Sequence, residues 1–284
     1  MSRRAFFLPA AILVLAVPAA AETRLSFGLK GGYAYAVFGD YNATSDGTRA
    51  VWTWLGPTGS RIEGETPKLH SALDLALEMS LALSPSFAVC LSVGHLKAKN
   101  GPFTYTLVSP AGATILSHRE EPYARAVPID LTVRFYPVAK GRLRVYLAAG
   151  AGIYFARFDR SGIDDEGTSY FRSFRYDTTA VGLGLHGGLG VEAALTKAFG
   201  LLLEIEGRYA PIDDFTGTLT WNDAAGQDSM SGTYYYYEGR LNIDEAKGLL
   251  FAADSPDSSF YYGLRKGVID FSGFSVRAGL FVRI

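Results

Sequence analysis

The sequence is poor in cysteine, in histidine and in excess charge of either sign. Cys90 is its single cysteine, so an internal disulfide is excluded. The 27 Lys and Arg residues nearly balance the 28 Asp and Glu residues, which leaves a formal net charge of -1. A nucleic-acid-binding protein needs a basic surface to neutralise phosphates, so the composition argues against that class. Only four histidines are available for metal binding or acid-base chemistry.

Long apolar runs are also scarce, and the main one opens the chain. Residues 1–21 hold a basic pair, Arg3 and Arg4, then an apolar stretch, then small residues before Glu22. This order predicts a cleaved secretory signal peptide, with residues 22–284 as one mature domain. An uncleaved anchor is the alternative, but the stretch is shorter than the roughly 20 residues that a spanning helix needs. Any later membrane crossing must therefore use strands.

The sequence instead repeats an alternation of apolar and polar residues. Leu73, Leu75 and Leu77 alternate with Asp74 and Ala76 in the sharpest case. A period of two is typical of a strand with one apolar face, because the apolar residues of a helix recur at three and four. The same pattern predicts eight strands, over 24–38, 68–84, 87–98, 123–136, 143–158, 178–195, from 201 onward, and 268–284.

The connections between these strands alternate in length. Short turns are predicted at 84–86, 137–142 and 196–200. Long connections are predicted at 39–67, 99–121, 159–177 and 214–267. Strict alternation is typical of a membrane barrel of antiparallel hairpins, with short periplasmic turns and long extracellular loops. Ten strands remain an alternative if 216–221 and 233–238 join the wall, but we expect these segments to form a ribbon above the membrane.

The last strand carries the most specific pattern. Apolar residues alternate from Phe274 onward, and the chain ends on Arg277-x-Gly279-x-x-Val282-x-Ile284. This ending resembles the C-terminal signal of outer-membrane barrel proteins. With the strand pattern, the sequence resembles a small outer-membrane β-barrel protein of the OmpA/OmpW-like kind. The resemblance implies an all-β, closed, antiparallel transmembrane barrel in a Gram-negative-type outer membrane, assembled by barrel-assembly machinery that reads the C-terminal strand.

In a membrane barrel, the apolar face of each strand must face the lipid. Backbone groups in lipid must all be paired, so the sheet must close and its outer face must be apolar. Small residues and charges of both signs fall on the predicted inner face, where the charges must pair. These charges are Lys30, Asp74, Glu78, Asp130, Arg134, Arg144, Glu192, Glu204, Glu206, Arg208 and Arg277. The expected girdle aromatics are Tyr33, Tyr35, Phe135, Phe155, Tyr209 and Phe271.

A soluble lipocalin-like barrel is the main competing interpretation. It also has eight alternating strands, but its apolar face points inward. Periodicity alone does not say which face is which. The inner-face glycines, the C-terminal signal and the alternating connections favour the membrane barrel.

No catalytic, cofactor-binding or metal-binding residue is predicted, and no cofactor is expected. The acidic runs Asp164-Asp165-Glu166 and Asp213-Asp214 could bind calcium or act as acid pairs, but acidic loop tips in water are the commoner explanation. His186 and Glu192 share a strand face about 20 Å apart, too far for a dyad. His186 is therefore expected to be an interior polar residue.

Several outer segments carry two interpretations. The run from Thr233 to Glu238 contains four tyrosines, which either face a partner or pack within a β-ribbon; we favour the ribbon. Trp52 and Trp54 in the first long connection carry the same ambiguity. Arg265 and Lys266 are weak candidates for contact with lipopolysaccharide phosphates. His95 and His118 lie near the second long connection and do not by themselves define a site.

These observations predict a non-enzymatic outer-membrane barrel with a structural or surface-binding role carried by its extracellular loops. The alternative, which the OmpW-like resemblance implies, is a narrow channel or lateral route for small or hydrophobic solutes. The expected partners are outer-membrane lipid, lipopolysaccharide, the assembly machinery and an unidentified loop ligand. A monomer with no nucleic-acid partner is expected.

Overall fold

A computed structural model describes residues 24–66, 68–166, 171–240 and 246–284, so the predicted signal peptide lies outside the described residues. The helix α1 is Gly39–Leu55. The strands are β1 (Arg24–Ala36), β2 (Arg61–Gly64), β3 (Ser71–Ser84), β4 (Phe87–Lys99), β5 (Phe103–Val108), β6 (Thr114–Lys140), β7 (Leu143–Asp165), β8 (Phe171–Ala194), β9 (Phe199–Tyr209), β10 (Pro211–Ile212), β11 (Thr216–Asp223), β12 (Gly226–Tyr237), β13 (Gly239–Arg240), β14 (Gly248–Ala252), β15 (Tyr261–Tyr262), β16 (Arg265–Lys266), β17 (Ile269–Asp270) and β18 (Gly273–Arg283). Within the described ranges, α1 is too short and too polar to cross a membrane as a helix.

Eight of the strands form a closed antiparallel ring. The order around the ring is β1, β3, β4, β6, β7, β8, β9 and β18, and β18 pairs back with β1. Leu29 faces Leu280 across this closing pair. The predicted eight-stranded antiparallel barrel is confirmed. Strands β6, β7 and β8 are longer than predicted, because they continue as paired strands into segments that the sequence left as loops.

The apolar side chains of the ring point outward. Leu77 is 60% exposed and Leu183 is 64% exposed, whereas Asp74 and Glu78 on the opposite face are only 2% and 5% exposed. A lipocalin-like barrel would show the reverse, so the membrane interpretation is confirmed. The outward apolar band ends at Val127 on β6, and polar residues follow it toward the extracellular end.

Most of the predicted girdle aromatics lie on this outer surface. Tyr33 and Tyr209 are more than half exposed, and Tyr35, Phe135 and Phe155 are also exposed. The prediction is wrong for Phe271, which is 2% exposed and packs edge-on against Phe38 at a centroid distance of 5.5 Å. Phe271 comes just before β18 begins, where the chain still runs inside the barrel mouth.

The extracellular end of the wall carries an extra sheet. β11 pairs with the upper part of β8, from Thr216 opposite Thr179 onward, and with β12, which in turn pairs with β14. β5 pairs with the upper part of β6. The segments 216–221 and 233–238 therefore extend the wall above the lipid-facing band, as predicted, and the ten-stranded alternative is excluded.

The first long connection contains helix α1, which the sequence analysis did not predict. Phe38 and Gly39 enter it with positive φ angles of 52° and 38°. The amide of Asn42 then holds the first turn in place, since its Nδ2 donates to the carbonyls of Val37 and Leu69 at 2.7 Å each. Tyr41 in that turn is 2% exposed, so the helix begins inside the barrel mouth.

Candidate functional site

The periplasmic half of the lumen is filled by a network of ion pairs. Glu204 on β9 is its centre, and Lys30, Arg134 and Arg277 all contact its carboxylate. Lys30 Nζ also lies 2.8 Å from Glu78, and Arg134 lies 2.7 Å from the same carboxylate. All of these side chains are at most 6% exposed. Each buried charge thus has opposite charges in contact, which is the condition for tolerating burial.

Further polar contacts extend this network toward both ends of the lumen. Toward the periplasm, Glu192 accepts hydrogen bonds from Tyr136 at 2.8 Å and from Arg283 at 2.9 Å. In the other direction, His186 Nε2 lies 2.8 Å from the hydroxyl of Thr132. His186 and Glu192 are therefore separate interior polar residues, as predicted. The predicted pairing of the inward charges is confirmed except at Asp130, whose contact of 3.7 Å is with His186 rather than with a lysine or arginine.

The extracellular half of the lumen is filled by aromatic and aliphatic side chains. Tyr41 from α1 packs edge-on against Phe158 on β7 at 5.2 Å, and Phe158 contacts Phe215 and Tyr234 from the last long connection. Alanines on the inner faces of the wall strands leave space for this aromatic plug. The lumen is thus closed twice, by paired charges below and by apolar packing above.

A second polar cluster lies beyond the aromatic plug, above the lipid-facing band. His118 on β6 contacts Asp164 on β7 at 2.5 Å through Nδ1 and Glu120 at 3.3 Å through Nε2. Arg160 makes two hydrogen bonds to Glu120, at 2.8 and 2.7 Å. Arg172 on β8 reaches Asp164 at 2.7 Å. We call these five residues the outer cluster.

The outer cluster shifts the titration of its members. Burial disfavours the imidazolium, but its hydrogen bonds to Asp164 and Glu120 outweigh burial and raise the pKa of His118. Burial opposes ionisation of Asp164 too, yet His118 and Arg172 lower the pKa of its carboxyl. Glu120 behaves likewise beside Arg160, and its pKa lies well below its usual range. The two carboxylates therefore favour the protonated form of His118.

Two adjoining cavities open beside the outer cluster. One, of about 210 Å³, is lined by charged side chains and by Tyr176, and the charged side chains are His118, Arg160, Asp164, Arg172 and Lys247. The other, of about 220 Å³, shares Arg172, Phe174 and Tyr176 with the first. Its remaining lining residues are Leu219, Trp221 and Met230. Together they form an extracellular groove with aromatic walls and cationic side chains, which we call the outer groove.

The structure corrects one sequence-based expectation directly at this groove. Asp164 is 4% exposed and paired, so it is not an acidic loop tip in water. Its neighbours Asp165 and Glu166 are exposed, as expected. Asp213 is exposed as well, and Asp214 forms an ion pair with Lys266. Among the described residues, no group of three His, Cys, Asp or Glu side chains is arranged to hold a metal ion.

The other candidate residues from the sequence analysis lie at different places in the structure and do not form one site. Tyr234 and Tyr236 are 0% and 3% exposed, so the tyrosine run packs within the β12 ribbon, as favoured. Trp54 is exposed on α1. Arg265 forms two hydrogen bonds to Asp40, at 2.5 and 2.6 Å, and contact of Arg265 or Lys266 with lipopolysaccharide phosphates stays a prediction. His95 lies on the outer wall, apart from His118 inside it.

Sequence reasoning missed Arg160 and Arg172, which supply two of the basic side chains of the outer groove. Both fall in a segment that the sequence analysis treated as a loop. The alternation of Phe158, Arg160 and Gly162 with Asp159 and Ser161 continues the inner face of β7. Extending the period-two pattern past the apolar band would have placed Arg160 inside.

The pKa of His118 predicts how this region responds to pH. A raised pKa gives stabilisation that is complete below the unperturbed imidazole value of about 6.5 and is lost as pH rises through the folded-state value. The lowered pKa values of Asp164 and Glu120 have the opposite pH dependence. They stabilise the fold above about pH 4, and this stabilisation is lost as the pH falls further. We expect amide hydrogen exchange at the tips of β6 and β7 to accelerate on the alkaline side, relative to a His118→Gln variant at each pH. An identical profile in the variant would contradict this assignment.

The chain is similar to one protein family and to several solved structures. The family model for the outer membrane protein beta-barrel domain matches residues 7–235. The fold resembles a major outer membrane protein from Thermus thermophilus, with 14% identity, a TM-score of 0.44, and coverage of 92% of this chain and 99% of that one. No curated protein sequence matches.

Two further solved structures are similar over most of their length. OprG from Pseudomonas aeruginosa is 12% identical, with a TM-score of 0.32 and coverage of 93% of this chain and 98% of that chain. Outer membrane protein W from E. coli is 14% identical, with a TM-score of 0.23 and coverage of 89% and 96%.

Proposed function

Because the chain belongs to the outer membrane protein beta-barrel family, we propose that it is a non-conducting surface-binding protein of the outer membrane. The wall anchors the chain in lipid. The extracellular sheet, α1 and the outer groove form the part that meets ligands. His118 acts in this proposal as a structural cation, since both of its ring nitrogens contact carboxylates, and no catalytic step is assigned to it.

The observation that carries the proposal is the double closure of the lumen. The ion-pair network around Glu204 and the aromatic plug around Phe158 place buried, packed side chains across the lumen at two levels. By contrast, the outer groove is open to the extracellular side and is lined by side chains that suit ligand binding. We therefore assign ligand binding to the extracellular segments that form the outer groove.

The lining of the outer groove favours a small organic anion that contains a ring. Lys247 supplies positive charge at the cavity beside α1, next to the Arg172–Asp164 ion pair, while Tyr176 and Trp221 supply aromatic faces. Sugar or aromatic rings pack on such faces, and carboxylates pair with such cations. An acidic monosaccharide has both features.

Binding of glucuronate and N-acetylneuraminate, with glucose as the neutral control, tests this proposal by calorimetry on the full chain in detergent. We expect the acidic sugars to bind and Trp221→Ala and Lys247→Gln each to weaken binding roughly tenfold, or ~1.4 kcal/mol. Trp54→Ala, which removes an exposed aromatic outside the groove, should leave affinity unchanged. Equal binding of glucose, or equal loss in the Trp54 variant, would contradict the proposal.

A second candidate function, a narrow channel or lateral route for small or hydrophobic solutes, rests on one irregularity of the wall. β8 pairs with β11 up to Thr179 and with β9 from Leu185 onward. Among the described residues, no cross-strand pair joins 180–184 to either of these strands. At this gap in the strand pairing, the buried side chain of Ile212 on β10 lies close to Gly182.

Planar-bilayer recording separates the two candidates. We expect the wild-type protein to produce no discrete conductance steps, because both layers of the lumen are filled. Steps that disappear when Gly184 or Gly188 is replaced by leucine would favour the channel instead. A Leu195→Ala substitution at the exposed periplasmic rim serves as the control.

Three further features belong to the same proposal. Residues 1–21 are removed on export, and the barrel-assembly machinery recognises β18. The protein acts as a monomer. Mass spectrometry of the mature N-terminus tests the first of these, and a chain that retains residues 1–21 in the outer membrane would contradict it.

A further inference from the structure

Three cations stand side by side on the outer wall. Lys97 on β4 faces Arg125 on β6, and Arg125 faces Arg157 on β7. Thr179 on β8 continues the same row. The neighbouring positions Ala98, Ala124 and Ala156 point into the lumen and are buried, so the three cations point outward.

This row begins where the lipid-facing band ends. Val127 and Phe155 end the continuous apolar band on the outward faces of β6 and β7, and Arg125 and Arg157 come next on the same face. The cations therefore lie at the level where the phosphate groups of the outer leaflet meet the wall. Basic side chains at this level interact favourably with anionic lipid.

The charges in this row are only partly compensated within the chain. Arg157 pairs with Asp159 and Asp177 at 2.7 Å each. In the described part of the chain, Lys97 and Arg125 contact no carboxylate, and Lys97 lies only over the ring of Tyr123 at 5.8 Å. Like charges directly opposite each other in a sheet are destabilising. An external anion would relieve this repulsion.

A groove runs beside the same residues. It has a volume of about 540 Å³ and is lined by Arg125 and Arg157 above, by Val127, Phe155 and Val181 below, and by Asp214 and Thr216 at one edge. Asp214 is paired with Lys266, so its charge is compensated. The groove is thus cationic on its extracellular side and apolar on its membrane side.

From this arrangement we infer that the groove binds a phosphate-bearing lipid of the outer leaflet. Arg125, with Lys97 and Arg157 beside it, holds the phosphate, and acyl chains lie along Val127, Phe155 and Val181. A free phosphate would use the cations but not the apolar half. The amphipathic lining and its position at the membrane boundary therefore favour a lipid over a soluble anion. This site is separate from the outer groove, which lies inside the wall.

Native mass spectrometry of the full chain released from neutral detergent tests the inference, with diphosphorylated lipid A as the probe. We expect lipid adducts on the wild type and about a thirtyfold loss of affinity in a Lys97→Gln/Arg125→Gln double variant, since each cation near a membrane surface contributes about a fivefold factor. Arg175→Gln is the matched control, because Arg175 lies on the same face of β8, two outward positions beyond Thr179. It should retain the adducts.

Thermal unfolding gives an independent measurement that also checks folding. The double variant should be at least as stable as the wild type without lipid, because two opposed like charges are removed. Added lipid A should stabilise the wild type and not the variant. Equal adducts on both proteins, equal binding of lipid A stripped of its phosphates, or release of bound lipid A by excess inorganic phosphate would overturn the inference. Failure here would leave the acidic-sugar proposal untouched, because the two tests change different residues.

Discussion

Replacing Glu204 with glutamine should destabilise the barrel by about 3–5 kcal/mol, the effect expected when one partner of a buried ion pair is removed. Glu204 contacts Lys30, Arg134 and Arg277 and accepts a hydrogen bond from Tyr146 at 2.6 Å. The substitution preserves the shape of the side chain but removes the charge that compensates three cations. Unfolding by urea in lipid vesicles, followed by circular dichroism, measures the change.

Glu63→Gln is the matched control for this experiment. Glu63 also pairs with an arginine, Arg61 at 2.6 Å, but both side chains are more than half exposed. Exposed pairs contribute about 0–1 kcal/mol, so this variant should unfold like the wild type. If Glu204→Gln cost no more than Glu63→Gln, the charge network would not hold the lumen together.

Placing arginine on the lipid-facing wall should have the second largest effect. Leu131 is 58% exposed in the middle of the outward band of β6, and Leu131→Arg should cost about 2–4 kcal/mol, as for cations near the bilayer midplane. The physical reason is that the guanidinium cannot be hydrated there. Loss of heat-resistant mobility on SDS gels, together with urea unfolding in vesicles, measures the cost.

Ile163→Arg provides the comparison on the neighbouring strand. Ile163 also points outward and is 38% exposed, but it lies near the tip of β7, above the band. This variant should cost about 0–1 kcal/mol, the value for positions near the interface or beyond. Similar costs at both positions would mean that the wall does not cross lipid where the apolar band indicates.

The barrel wall could be predicted from sequence because the alternation of apolar and polar side chains is visible within each strand. A side chain such as Leu75 or Asp74 faces lipid or lumen according to its parity along one strand, and closure follows from the need to pair every backbone group in lipid. Counting the segments with this alternation gave the number of strands, and the alternating connections favoured a membrane barrel. These features require no knowledge of distant contacts.

Helix α1 and the outer cluster depend on distant contacts, which is why they were missed. α1 is held by Asn42 bonding to Leu69 and by Asp40 bonding to Arg265, neither of which leaves a periodic signal. His118 meets Asp164 only because β6 and β7 stay in register far above the lipid. A sequence that reads as a polar loop there does not reveal that register.

Cysteine accessibility in vesicles tests the central claim, that lipid covers the leucine face of the wall. In a Cys90→Ser background, single cysteines would replace Leu75, Leu147 and Leu280, which are 41%, 52% and 45% exposed, and Trp54 as the wetted control. We expect a membrane-impermeant maleimide to label only position 54, and brominated lipid to quench fluorophores that are attached at the three leucine positions before reconstitution. Labelling of the three leucine positions at the rate of position 54 would contradict it.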